Sequence, residues 1–358
     1  MIRYCLTLLL IFACSLQAQD HLLCPPVNKA PLACCRPAWS GIYPTVLTPW
    51  NCTGCGVDTE ALARQIKYQL FGRVNGLLVL GTLGEGMYAS HEERAQVIST
   101  AVAVVQGKVP VVVGIHSSDI FSALDQLKQA KNLGASAVLV KYTGPARTPF
   151  CDILGFYQML AQAHELPVFY YHMPGSVDRP LKADEVIQIL SLDNVIGAKE
   201  STLDLREVQK HISGTTGLGK VFLSGTALNL TQFQAIGGHG AMCPEAAILP
   251  VDTVLAFETA YETGARRDAR AQQRDLFILA PLLKGGIITA NSARMVTMTA
   301  QDLKLPQRLG RDTSQARLKA TLHRLGFPMN SIVKPDLPQL SAWDRHIVNS
   351  TVNKLSQQ

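Results

Sequence analysis

Residues 194–201 read "NVIGAKES". Val195 to Ala198 form a short apolar run, the length of a buried strand. Lys199 then ends the run on an amine, and Glu200 follows at once. A strand with no polar alternation belongs to a parallel sheet, whose two faces are both covered. In such sheets ligands are met at the C-terminal ends of the strands. The stretch therefore asks whether the chain supplies more strands of this kind, and what they end on.

Seven more are present. "GIYPTVLTP" from Gly41, "VNGLLVLGT" from Val74, "VPVVVGI" from Val109 and "ASAVLVKY" from Ala135 precede it, with "LPVFYYHMP" from Leu166; "KVFLSG" from Lys220 and "GAMCPE" from Gly240 come after it. Amphipathic runs such as "DTEALARQIKYQLF", "SHEERAQVISTAVAVV" and "DIFSALDQLKQAKNLG" lie between them. Eight strand-then-helix units predict a TIM (β/α)8 barrel over residues 41–248. The rival is an open doubly wound sheet. No G-x-G-x-x-G follows the first strand, and eight regular units favour closure. Residues 249–358 carry no further strand; "VDTVLAFETAYETGARRDARAQQRDLFILAPLLKGG" and "ARLKATLHRLGF" have helical spacing. This predicts a helical C-terminal extension, a packing or oligomer element rather than a second catalytic domain.

Ahead of the barrel, residues 1–18 read as a secretory signal peptide. Arg3 gives a basic start, "CLTLLLIFAC" is an apolar run too short to cross a bilayer, and Ala18 offers a small residue for cleavage. The expected location is therefore periplasmic or secreted. A buried first helix, or a lipid anchor at Cys14, are the alternatives; Phe12 fits the lipid-anchor pattern poorly. Residues 19–40 are Cys-rich. Cys24, Cys34, Cys35, Cys52 and Cys55 crowd together, and in an oxidising compartment they predict disulfides. "CTGC" could instead be a redox pair or half a zinc site, but it lacks a βαβ context and a second ligand pair. Cys151 and Cys243 stand alone as free thiols. Asn51, Asn229 and Asn349 lie in N-x-S/T sequons, which matter only if the host glycosylates.

The 358 residues are 47% hydrophobic and 17% charged, enough apolar content for a large core and against disorder. Net charge is +6, from 33 basic and 27 acidic residues. The basic residues are scattered, so no nucleic-acid surface is implied, and no segment after the first reads as a membrane span.

The predicted strand ends carry Gly81-Thr82-Leu83-Gly84-Glu85, Lys141-Tyr142, Tyr170-Tyr171-His172, Lys199-Glu200 and Met242-Cys243. A lysine flanked by Val, Ile, Gly and Ala at a barrel mouth is partly dry. Desolvation favours the neutral amine, which attacks a ketone to give a Schiff base. The iminium is an electron sink, so a neighbouring bond can be made or broken. Tyr171, on the preceding strand, can shuttle the proton, and the amides of the "GTLGE" turn can hold a carboxylate beside the ketone. The plainer reading of Lys199 is a salt bridge. Three such features on three strand ends of one barrel outweigh it. His116 and His239 sit in turn-like contexts. No two histidines show ligand spacing with an acid, so neither metal nor cofactor is expected.

Here the sequence resembles the pyruvate-dependent class I aldolases of the dihydrodipicolinate synthase and N-acetylneuraminate lyase superfamily, over nearly the whole chain after the signal. "VNGLLVLGTLGEGMYASHEERAQVI" is similar to the family's G-[ST]-x-G-E segment and L-x-x-x-E-R helix, "VFYYHMP" to its Y-N-x-P strand end, and "VIGAKES" to its Schiff-base lysine segment. The resemblance implies that Lys199 forms the Schiff base with pyruvate, Tyr171 relays protons and the Thr82 hydroxyl supports it. It implies that the backbone at Leu83 and Met242 lines the pyruvate pocket, while Glu85 and Glu200 fix loops. The departures fall at the other end of the site. Leu83 replaces a second threonine, Tyr142 is displaced from the expected tyrosine, His172 replaces asparagine, and Ser176 stands where the synthase has a carboxylate-binding arginine. Arg179 has the wrong spacing to substitute, and the lyase pattern after Y-N-x-P is not met either.

The expected function is a Schiff-base aldolase or lyase acting on pyruvate or a 2-oxo acid aldol, with an aldehyde as the other reactant and a homo-oligomer as the assembly. The alternatives are a 4-hydroxy-tetrahydrodipicolinate synthase proper and a catalytically weak 2-oxo acid binding protein. Between cleavage and synthesis, Leu83, the missing arginine and export favour cleavage.

Overall fold

A computed structural model describes residues 36–51, 56–145, 147–174, 180–263, 267–283, 314–325 and 341–357. The signal peptide, the five clustered cysteines, Ser176 and Arg179 lie outside the described residues. The chain divides into units Met1–Pro37 and Ala38–Gln358; every contact below lies within the second.

The eight apolar runs form eight parallel strands: β1 (Gly41–Pro44), β2 (Leu77–Val79), β3 (Val111–Ser117), β4 (Ala137–Tyr142), β5 (Val168–His172), β6 (Val195–Glu200), β7 (Val221–Ser224) and β8 (Gly240–Cys243). The sheet order is β1-β8-β7-β6-β5-β4-β3-β2. A parallel bridge between Thr45 and Leu78 joins the two ends, and the Val46 N–H donates to the Leu78 carbonyl at 2.8 Å. The sheet is a TIM barrel, as the alternation predicts.

Helices α1 (Thr59–Phe71), α2 (His91–Val105), α3 (Ile120–Asn132), α4 (Phe150–Gln162), α5 (Ala183–Leu190), α6 (Leu205–Gly214) and α7 (Leu230–Ala235) alternate with the strands. Their starts are written locally. Asp58, Ser90 and Asp119 accept from backbone N–H groups left open in the first turn, and Ser90 with Glu93 completes a capping box. Successive strand residues point to opposite faces. Tyr43, Leu78, Val112, Leu139, Phe169 and Leu223 fill the barrel interior, while Val79, Val113, Val138, Tyr170 and Phe222 pack under the helices.

After the short helix α8 (Glu245–Ile248), α9 (Pro250–Thr263) lays Ala256 and Phe257 on Ile42, Ala241 and Cys243, covering the seam between β1 and β8. Then come α10 (Arg267–Asp275), a 3-10 turn (Leu276–Leu279), α11 (Ala280–Leu283), α12 (Ser314–Arg324) and α13 (Ala342–Leu355). Leu318, Leu322, Val348 and Val352 from the last two meet Leu47 and Leu83 in one apolar cluster. Arg317 and Asp344 form a buried ion pair at 2.8 Å between them. The C-terminal helices thus pack on the face carrying the strand ends. Among the described residues, no helix is long and apolar enough to cross a membrane.

Candidate active site

Five inward-facing positions on five neighbouring segments converge: Thr82 after β2, His116 on β3, Lys141 on β4, Tyr171 on β5 and Lys199 on β6. Register aligns them in pairs, with His116 beside Lys141 and Tyr171 beside Lys199. Lys199 is 4% exposed, and its Nζ lies 4.6 Å from the centre of the Tyr171 ring. Lys141, 8% exposed, sets its Nζ 3.9 Å from the Met173 Sδ.

The phenol of Tyr171 feels opposing effects. Burial raises its pKa, but the positive charge of Lys199, a hydrogen bond from Thr82 and the charge of Lys141 outweigh burial and lower it. A phenol held between cations gives up and recovers a proton more readily than an ordinary tyrosine.

Thr82 Oγ1 also lies 3.3 Å from His116 Nε2, so hydroxyl, imidazole and phenol form one string. The sequence placed His116 in a turn. The structure corrects this: it is a β3 residue whose ring meets that of Tyr171 edge-on at 6.5 Å. Burial, then Lys141, Arg94 and Lys199, push its pKa down to about 3, so the imidazole stays neutral. A histidine after "VVVGI" could have been read as an inward strand position by continuing the period of two. His239, in contrast, lies just before β8, its Nδ1 accepting from the Phe222 N–H at 3.1 Å.

The "GTLGE" turn is held from three sides. Thr48 donates to the Gly84 carbonyl at 2.6 Å, and Trp50 donates to Glu85 at 2.6 Å. The buried Arg94 guanidinium donates to the carbonyls of Gly86 and Gly114, at 3.1 and 2.9 Å. Glu85 therefore fixes the loop. The packing leaves no room at Gly86, where a Cβ would lie 1.9 Å from the Leu80 carbonyl oxygen. Leu83 turns its side chain into the apolar cluster of the C-terminal helices, and its N–H donates to no described residue. Met242 lies on β8 inside the barrel.

On the outward face of the same strands lies a second polar group. Glu200 accepts from His172 Nδ1 at 2.5 Å and from His211 Nδ1, on α6, at 2.9 Å. All three are buried, and Glu207 comes within 3.7 Å of His172 Nε2. Burial would raise the Glu200 pKa, but the two histidines hold it down to about 2. Burial would lower that of His172, but Glu200 and then Glu207 raise it. One ligand-type atom from each of His172, Glu200 and His211 lies within 4.8 Å of the others, which corrects the reading that no two histidines show ligand spacing with an acid. Residues 172, 200 and 211 have no common period; β5, β6 and α6 bring them together. Both Nδ1 atoms are engaged by the carboxylate, and hydrogen bonding accounts for the arrangement. Its effect is to bolt the end of β6 to α6, one residue beyond Lys199.

Cys243 is buried and Cys151 exposed, both free. Tyr142 packs edge-on against Phe156.

The sequence model of the Dihydrodipicolinate synthetase family matches residues 38–308. A 4-hydroxy-tetrahydrodipicolinate synthase of Magnetococcus marinus is 27% identical over 295 residues, covering 81% of this chain and 99% of that protein. One of Phenylobacterium zucineum is 31% identical over 219 residues, 60% of this chain and 72% of that one. Among solved structures, dihydrodipicolinate synthase from Bacteroides thetaiotaomicron superposes with a TM-score of 0.74 at 22% identity, covering 90% of this chain and all (100%) of that one.

Proposed function

This chain belongs to the dihydrodipicolinate synthetase family, and we propose that Lys199 is the Schiff-base lysine of its aldolase or lyase chemistry on pyruvate or a 2-oxo acid aldol. The observation that carries the assignment is the buried amine at the end of β6, 4.6 Å from the Tyr171 ring. As the Lys199 nitrogen attacks the ketone carbon, Tyr171 carries two of its three ammonium protons to the ketone oxygen; water leaves, and the iminium keeps the third proton and the positive charge. In the cleavage direction Tyr171 takes the proton of the substrate hydroxyl. The carbon–carbon bond breaks, the aldehyde departs, and the electron pair moves to the iminium to give an enamine. Protonation and hydrolysis return pyruvate and the free amine. Thr82 orients Tyr171, and the amide of Leu83 is placed to hold the 2-oxo acid's carboxylate, with the backbone at Met242 forming another wall.

Incubation with pyruvate and borohydride should convert the iminium to a stable secondary amine on the peptide holding Lys199, seen by mass spectrometry. Lys141 should remain unmodified, Lys199→Ala should abolish adduct and turnover, and Tyr171→Phe should form adduct slowly. An untouched Lys199, or an adduct on Lys141, refutes the assignment. The names of the relatives favour a second reading, condensation as a 4-hydroxy-tetrahydrodipicolinate synthase. Leu83, which offers no hydroxyl, stands against it, and assays in both directions separate the two. Adduct without turnover in either direction would leave a 2-oxo acid binding protein.

A further inference from the structure

The chemistry proposed above asks Tyr171 both to take a proton and to give one back. The groups around its phenol decide which is easier. Lys199 on β6 and Lys141 on β4 set positive charge near it, and the hydroxyls of Thr82 and Ser201 lie beside it. Behind Thr82 stands His116 on β3, its Nε2 3.3 Å from Thr82 Oγ1. The mechanism gives that imidazole no task. It cannot carry a second proton near neutral pH, because burial and the charges of Lys141, Arg94 and Lys199 push its pKa down to about 3. Its Nδ1 is buried and, among the described residues, has no hydrogen-bond partner. A buried polar atom that meets nothing calls for a reason.

The reason lies in the direction of the hydrogen-bonded string. A threonine hydroxyl has one proton to donate, and a neutral imidazole has one N–H and one lone pair. If the Tyr171 oxygen donates to Thr82, Thr82 must donate to Nε2, and the imidazole proton is driven to Nδ1. There it meets no acceptor, in surroundings made positive by Lys141, Arg94 and Lys199. An N–H whose positive end lies among cations is costlier than a lone pair in the same place. If the imidazole instead keeps its proton on Nε2, it donates to Thr82 Oγ1, and Thr82 donates to the Tyr171 oxygen. Only a lone pair is then left at Nδ1. In this direction Tyr171 accepts a hydrogen bond, which favours its phenolate. A phenolate is the form that takes a proton from a substrate hydroxyl or carbon.

We propose that His116 is a positioning residue for this proton transfer: as an Nε2–H donor it turns the Thr82 hydroxyl towards Tyr171 and so holds the phenol ready to act as a base. This rests on the Schiff-base reading of Lys199. The test needs only pyruvate. Pyruvate forms the iminium on Lys199, and the Tyr171 phenolate removes a methyl proton. The C–H electron pair moves to the iminium, giving an enamine and a phenol. In heavy water the phenol proton exchanges with solvent and the reverse step delivers a deuteron, so NMR follows the loss of the pyruvate methyl protons. In the parent chain exchange should quicken with pH as Tyr171 ionises. In His116→Phe that rise should come about one pH unit higher, which is about tenfold slower at a fixed pH on the rising limb, with borohydride trapping on Lys199 retained. His116→Gln, whose amide nitrogen can stand in for Nε2–H, should restore most of the rate, and His116→Asn, whose amide reaches only the Nδ1 position, should not. On a Thr82→Val background, His116→Phe should change exchange by less than about twofold, because the link is already cut. The nitrogen NMR spectrum of the isotopically labelled parent should show the His116 proton on Nε2. Absence of trapping in the parent sinks the Schiff-base reading itself. With trapping intact, an unshifted profile in His116→Phe, an equal shift on the Thr82→Val background, rescue by His116→Asn rather than His116→Gln, or a proton on Nδ1 each overturns the role of His116 alone. The position of that proton decides the matter even if His116→Phe does not fold.

Discussion

Thr82 is the smallest group in the proposed relay and the most informative. Its hydroxyl faces both the Tyr171 phenol and the neutral His116 ring. The turn itself does not need that hydroxyl, since Thr48, Trp50 and Arg94 hold it in place. Thr82→Val keeps the shape and removes the hydroxyl. The phenol then loses a hydrogen bond that lowers its pKa, and proton transfer slows. We expect kcat to fall on the order of 10²-fold, with a thermal midpoint within a few degrees of the parent. An unchanged kcat would reduce Thr82 to a turn residue.

At the scale of the element, β6 works on both faces. Lys199 points inward to the chemistry and Glu200 outward to His172 and His211. Removing one partner of a buried ionic cluster leaves the others uncompensated, so Glu200→Gln should cost about 3 kcal/mol. The cost should depend on pH with a definite sign. Glu200 is held at about 2, below the usual 4.5, so its contribution is present above pH 4.5 and fades as pH falls towards 2. His172 is raised above its usual 6.5, so its contribution is complete below pH 6.5 and fades as pH rises through the higher folded value. Denaturant titrations should find the difference between parent and Glu200→Gln largest between about pH 4.5 and 6.5. A difference that is flat across that range and beyond would mean that charge is not what holds the cluster.

Across the whole molecule, the barrel depends on the helices beyond its last strand. Ile42, Ala241 and Cys243 face outward at the β1–β8 seam and are covered by Ala256 and Phe257 of α9. A chain ending at Leu249 keeps all eight strands and exposes that seam. It should be recovered as aggregate or as a monomer that binds a hydrophobic dye, because a contiguous apolar patch on a sheet face recruits other chains. A truncated chain that unfolds as cooperatively as the parent would make α9 dispensable.

Much of this architecture could be read locally. Unbroken apolar runs with helix caps at Asp58, Ser90 and Asp119 determine strand and helix by period and hydrogen-bonding chemistry, which act over a few residues. The count of eight then selects a closed barrel, and a closed barrel sends every strand-end residue to one mouth. That is why Thr82, Tyr171 and Lys199 are legible as a group in the sequence. What the sequence could not determine is which strand-end groups share a face and what each one meets there. His116 joined the site because β3 runs two residues further than its apolar run. Lys141 is buried beside Met173, and among the described residues no carboxylate pairs with it, which only the packing around it could decide. His172, Glu200 and His211 became one cluster through two strands and a helix whose spacing in sequence has no period. Side-chain partnership depends on distances fixed by the closure of the barrel, and closure is a property of all eight strands at once.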